Sequence, residues 1–214
     1  MRVFFQLLYH QCAWSYDFVA AVVSLGNWNQ WGKTVLSEIT GPRVLELGHG
    51  PGHLQKELCD LNLNHVGIDE STQMGASTTR LFRKMGKAYR NVRSLAQNLP
   101  FPAEVFDQVT SVFPSEYIFF TGTISETYRV LKPGGKLIIL PSAWIEGDSI
   151  IEKAADWLFR ITGQAQIWND SFLIPLRRVG FDVKTKTMKG PSWSVILVIA
   201  EKPECQTPTS ANLR

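Results

Sequence analysis

The 214-residue chain has only three cysteines, Cys12, Cys59 and Cys205, far apart and odd in number. They fit neither a zinc-ligand spacing nor a disulfide framework, so no metal site is expected and a reducing cytoplasm is the expected compartment. An excess of one charge is also lacking. The 22 Lys and Arg against 19 Asp and Glu leave a net charge of +3, too small to imply a nucleic-acid partner. Long apolar runs are missing as well. The most apolar segment, residues 1 to 26, carries only Arg2 and Asp17 as charges, yet Gln6, His10 and Gln11 interrupt it. Its apolar stretch is too short to span a bilayer, and the interruptions spoil a signal peptide. The expected structure is an N-terminal helical lid over residues 1–40. Its aromatics Phe4, Phe5, Tyr9, Trp14, Tyr16 and Phe18 would cover a pocket or a partner surface, with peripheral membrane contact through the same segment as a further expectation. No internal repeat or low-complexity block is present.

Four apolar, β-branched-rich runs bounded by turn residues predict strands buried on both faces. They are RVLEL (43–47), HVGI (65–68), FDQVTSVF (106–113) and KLIIL (136–140). A weaker run, NVRSL (91–95), lies between the second and third. Leu81, Phe82, Met85, Ala88 and Tyr89 predict a helix over 72–89, and Ile124, Tyr128 and Leu131 one over 122–131. Strands alternating with helices argue for a parallel sheet with helices on both faces. The end of the chain breaks that order. GFDVKTKTM (180–188) alternates in polarity, and after KGPS comes WSVILVIAE (193–201), which together predict an antiparallel hairpin. The fold class is α/β: a Rossmann-like, seven-stranded, mostly parallel sheet with a C-terminal antiparallel hairpin. The domain is predicted over 41–201, with 202–214 as a flexible tail. Arg80, Arg83, Lys84 and Lys87 form a basic stripe on the 72–89 helix, read as a solvated face, with an anionic partner as the alternative.

Residues 43 to 54, RVLELGHGPGHL, end a strand in a glycine-rich turn. Two kinds of nucleotide ligand use such a turn. The dinucleotide fingerprint G-x-G-x-x-G needs its third glycine at position 53, where this chain has His53. The third glycine is instead Gly52, giving E-x-G-x-G-x-G from Glu46. No Gly-Lys-Ser/Thr follows the turn, so it is no P-loop either. Asp69 ends the next strand, 21 residues after Gly48, where an acid meets a ribose in folds of this kind.

VLELGHGPGHL resembles motif I of the class I S-adenosylmethionine-dependent methyltransferases. SLAQNLPFPAEVFDQV and ISETYRVLKPGGKLIIL resemble the stretches that lead into the fourth and fifth strands of that family. The resemblance runs from about residue 43 to 141, with the terminal hairpin extending it to about 201. The nearest branch is the small-molecule group called type 11, which includes quinone C-methylases. S-adenosylmethionine is the cofactor it implies. Glu46 would attract the ammonium of the amino-acid tail, which lies across Gly48, His49, Gly50 and Gly52. Asp69 would bind the ribose, Glu70 and Met74 would flank the adenine, and Ala96 would offer its backbone N–H to the base. Leu95 replaces an aspartate common in the family, with Gln97 as a substitute. Phe113 completes the cofactor set.

Methyl transfer to a small, lipophilic or aromatic acceptor by in-line displacement is the function this implies. The alternatives are a dinucleotide-dependent oxidoreductase and a non-catalytic binding module. In open α/β sheets ligands bind beyond the carboxyl ends of the strands. That puts the acceptor near FPSEY (113–117) and PSAWIEG (141–147), with Tyr16, Tyr117 and Trp144 as lining residues. His10 and Glu116 are the candidate general bases, although a sulfonium methyl needs none. WLFRITGQAQIW (157–168) matches no chemistry, and Pro175 is expected to kink or restart the helix after it.

Overall fold

A computed structural model describes Ser24, residues 26 to 146 and residues 170 to 204. Seven strands form one sheet in the order β3-β2-β1-β4-β5-β7-β6. They are β1 (Arg43–Leu47), β2 (Asn64–Asp69), β3 (Asn91–Arg93), β4 (Phe106–Val112), β5 (Leu131–Ile145), β6 (Asp182–Lys189) and β7 (Trp193–Glu201). The first five are mutually parallel. β7 runs antiparallel between β5 and β6. The helices are α1 (Trp28–Lys33), α2 (His53–Asp60), α3 (Thr72–Lys84), α4 (Thr121–Val130) and α5 (Ile174–Val179). The strand order reverses between β1 and β4, the switch point where α/β sheets bind ligands.

Alternation along β1 divides the core. Leu45 and Leu47 join Ile118, Ile124 and Leu176 on the face covered by α4 and α5. Val44 joins Trp31, Val35, Leu54 and Leu58 on the opposite face, covered by α1 and α2. Period-2 side chains explain why RVLEL is apolar almost throughout: neither face of this strand meets water. Glu46 is on the α2 face and is the exception that matters below.

Residues 28 to 38, assigned from sequence to a lid, pack into this core. Trp31 and Val35 are fully buried beneath Ile138, Leu140 and Trp193. Residues 1 to 23, with the rest of the predicted lid and its membrane contact, lie outside the described residues, as does 157–168.

Two expectations need correction, and another is narrowed to one of its alternatives. The helix predicted over 72–89 stops at Lys84. Gly86 takes a left-handed φ of 64° and donates to Arg83 O at 3.1 Å, while Lys87 N donates to Phe82 O at 3.1 Å. This pair of bonds is the Schellman stop that a glycine permits. Tyr89 folds back beyond it to stack on Phe82, with centroids 4.3 Å apart. Second, of the two outcomes expected of Pro175 the structure shows the restart: it sits in the first turn of α5, after a 3-10 turn over Asp170–Leu173.

Third, the expected tail begins too early. Lys202 is 8% exposed. Its ammonium donates to Leu131 O at 2.8 Å and Tyr128 O at 3.1 Å, pairs with Glu104 at 3.3 Å and lies over the Tyr128 ring. Its backbone exchanges two 2.8 Å bonds with Gly134 and Gly135 of the KPGG turn. A cation on the last carbonyls of α4 satisfies groups that the helix leaves open. Positions 205–214 of the predicted tail are outside the described residues. We expect Lys202→Ala to lose about 2 kcal/mol, because two buried carbonyls lose their donor. In a calorimetric melt the midpoint should fall by roughly 4–8 °C for a chain of this size.

Candidate active site

The chain leaves β1 through Gly48, Gly50 and Gly52, with φ values of 69°, 53° and 92°. L side chains rarely adopt this region. Space is a second constraint at two of the three: a Cβ at Gly48 would strike the Tyr117 hydroxyl, and one at Gly52 the Thr78 side chain. Gly50 faces open space. Gly52 also caps α2, so the helix begins at His53, the position where a dinucleotide site requires glycine.

Hydrogen bonds fix the turn to β2. Gly48 N and His49 N both donate to Ile68 O, at 2.8 and 3.1 Å. Gly50 N donates to Asp69 Oδ2 at 3.0 Å, and Ser71 N donates to Asp69 Oδ1 at 2.8 Å. One carboxylate thus holds the glycine turn and the start of α3 together. Thr78 Oγ1, from α3, donates to Gly50 O at 2.8 Å and lies 3.2 Å from His49 Nδ1. Burial lowers the His49 pKa, against the opposing pull of Asp69.

Glu46 is buried, and its Oε2 accepts from Gln55 Nε2 at 2.6 Å. Burial pushes its pKa up to about 8; the Gln55 bond opposes the rise and Asp69 adds to it. Glu46, Gly48, His49 and Gly50 meet at a cavity of about 220 Å³, which Trp28, His53 and Val112 also line. The structure therefore brings together the motif I residues expected for the cofactor. Asp69 is joined to them through Gly50.

The other predicted residues are more dispersed. Met74 is buried, and its backbone N–H caps on Ser71 Oγ at 3.3 Å. Glu70 is exposed, with its carbonyl accepting from Arg93 Nε at 2.9 Å. Ala96 belongs to the core, Gln97 lies beside Gly122, and Leu95 is 53% exposed. Phe113 has a φ of 47°, and its ring packs on Trp28 with centroids 4.2 Å apart. Tyr117, expected to line the acceptor, puts its hydroxyl 3.1 Å from Leu47 O and 3.2 Å from Ser111 Oγ, where it braces the end of β1. Trp144 is half-buried in β5 opposite Ser194. Glu116 is exposed at the start of a 3-10 turn. His10 and Tyr16 lie outside the described residues.

Sequence reasoning missed Trp28, Gln55 and Thr78. Gln55 did carry a signal, as a polar residue between Leu54 and Leu58 on the buried side of α2. Thr78 carried none, because only the folded turn reveals what it touches. Among the described residues no group of His, Cys, Asp or Glu could hold a metal, and no helix is long and apolar enough to cross a membrane.

Comparison with known proteins bears on this geometry. Residues 45–139 match the family described as a methyltransferase domain. An uncharacterized methyltransferase of Bacillus subtilis is 35% identical over 118 residues, covering 52% of this chain and 62% of that protein. A demethylmenaquinone methyltransferase of Symbiobacterium thermophilum is 31% identical over 149 residues, covering 64% of this chain and 58% of that one. The chain thus spans about three fifths of the length of these curated relatives. A phosphoethanolamine N-methyltransferase of Haemonchus contortus, solved with phosphomonomethylethanolamine and S-adenosylhomocysteine, shares the fold. Its TM-score is 0.62 at 20% identity, over 84% of this chain and 53% of that one. A doubly wound sheet alone leaves several families open. Here the matched residues are those that build the glycine turn and the switch point, and over that core the chain is similar to the class I S-adenosylmethionine-dependent methyltransferases.

Proposed function

We propose that the protein transfers a methyl group from S-adenosylmethionine to a small, lipophilic aromatic acceptor. The observation that carries this reading is the left-handed glycine turn at the switch point, tied to Asp69 and closed beneath by Glu46. The residues suit the cofactor. Its amino-acid end bears an ammonium and needs an acid with a free oxygen beside bare backbone, which Glu46 and Gly48 to Gly50 supply. At about 220 Å³ the cavity is smaller than the roughly 300–1,000 Å³ of whole small-molecule sites, so it suits one end of the ligand. Asp69 still has lone pairs for ribose hydroxyls beyond its two backbone bonds.

When bound, the cofactor supplies a methyl group already activated by the sulfonium charge. What the chain adds is position. Holding an acceptor in line with the methyl accounts for about 7–11 kcal/mol of barrier lowering in well-oriented reactions. Glu116 is the described candidate for taking a proton from the acceptor, since it lies after β4 at the carboxyl side of the sheet. The demethylmenaquinone methyltransferase among the relatives and the aromatic pair Trp28 and Phe113 at the site support this acceptor class.

Titration calorimetry should show binding of S-adenosylhomocysteine and none of NADH; the reverse would overturn the cofactor assignment. Asp69→Ala should weaken S-adenosylhomocysteine by roughly 10- to 100-fold, the loss of charged hydrogen bonds worth about 1.5–3 kcal/mol. An unchanged affinity would remove Asp69 from the site. With methyl-labelled cofactor, label should enter hydroquinones before simple amines, and labelling of amines alone would refute the acceptor class.

A further inference from the structure

Glu46 sits at one end of a buried hydrogen-bonded chain. Gln55, fully buried on α2, donates from Nε2 to Glu46 Oε2 at 2.6 Å. Its other end, Oε1, lies 2.7 Å from His65 Nδ1 on β2. Oε1 can only accept, so Nδ1 carries the proton, and only the amide NH₂ is left to face Glu46. In this orientation the imidazole donates to the amide, and the amide donates to the carboxyl. Glu46 Oε1 makes no hydrogen bond among the described residues, in a side chain that lines the cavity.

The charged groups around Glu46 leave it uncompensated. Asp69, at the end of β2, is a like charge already bonded to Gly50 and Ser71. The Tyr89 phenol, from the loop before β3, is neutral, with its pKa raised by burial first and then by Glu46 and Asp69. His49 and His53 flank the same cavity. On α1, Lys33 pairs with Glu57 at 3.1 Å, and on α2, Lys56 pairs with Asp60 at 2.8 Å. The His65 pKa is lowered, by burial and then by Lys87. No cation among the described residues forms an ion pair with Glu46. A lone buried carboxylate is costly, and the group takes up a proton instead. With a pKa of about 8, Glu46 is mostly neutral at pH 7.

We propose that Glu46, buried as a neutral acid and oriented by Gln55 as a positioning residue, receives the ammonium group of the cofactor, so that cofactor binding expels one proton. This rests on the S-adenosylmethionine reading above. In the step the O–H bond of the acid breaks, its proton passes to water, and a carboxylate–ammonium pair forms with the ligand's charge unchanged. The sign follows. Below pH 8 each unit of acid costs an ammonium-bearing ligand about tenfold in affinity, and the dependence flattens above pH 8. A nucleoside without the amine shows no such slope.

Titration calorimetry of the full chain with S-adenosylhomocysteine, in two buffers of different ionisation enthalpy between pH 6 and 9, tests this. The expected result is release of about one proton at pH 7, fading above pH 8, with no release for 5′-methylthioadenosine. Glu46→Gln should bind more weakly, without release and without slope. Gln55→Met removes the bond that lowers the acid and should move the midpoint up by about one unit. His65→Leu should do the same, while His65→Asn, which keeps a donor there, should restore the wild-type midpoint. A purely structural role would change melting temperature and leave these midpoints in place. Buffer-independent heat for the wild type, or proton release that survives Glu46→Gln, overturns the proposal. Should Gln55→Met fail to fold, the isosteric Glu46→Gln decides it. Failure of S-adenosylhomocysteine to bind at any pH overturns the cofactor reading instead.

Discussion

Asp69 accepts hydrogen bonds from two backbone segments, at Gly50 and at Ser71. The first closes the turn after β1 and the second opens α3. Charge-assisted bonds of this kind are shorter and stronger than neutral ones. They hold three left-handed glycines, at every second position, in a conformation that a free chain would leave. The cavity, the exposed backbone of Gly50 and the start of α2 all inherit their positions from this contact.

Around it the molecule tolerates local cost. Phe113 is a bulky residue at positive φ, the kind of strain that persists where the surroundings over-determine it. Trp28 and Trp31 press on its ring, and its N–H is held by Leu140 O at 2.8 Å. Glu46 is a second such cost, a carboxyl inside a strand that is otherwise apolar on both faces. Both lie at the carboxyl end of the parallel strands, where the sheet opens toward a ligand. The opposite end is ordinary core and ion pairs such as Lys132 with Asp107.

The parts of the fold that depend on local chemistry were legible in the sequence. Strand alternation, the hairpin and the spacing of Gly48, Gly50 and Gly52 follow from periodicity and from φ preferences, which act within a few residues. The end of α3 was legible too, in Gly86, but the apolar spacing of Ala88 and Tyr89 masked it. What escaped depends on contacts distant in sequence. Tyr117 looks like a pocket aromatic until its hydroxyl is seen on Leu47, 70 residues away. Lys202 looks like a tail residue until it is seen capping α4. Gln55 is an unremarked glutamine until His65 and Glu46 are placed on either side of it.

β7 is the last of the seven strands along the chain, yet it lies inside the sheet, between β5 and β6. As the chain is synthesised, β5 therefore presents an open apolar edge, Leu137 to Leu140, until residue 201 has emerged. Pairing over such separations is slow, and an uncovered strand edge invites other chains. The nascent domain must be kept apart from its neighbours for the time it takes to make the roughly 60 residues between Leu140 and Glu201. The order of strands in space thus sets a demand on the cell that the finished molecule no longer shows.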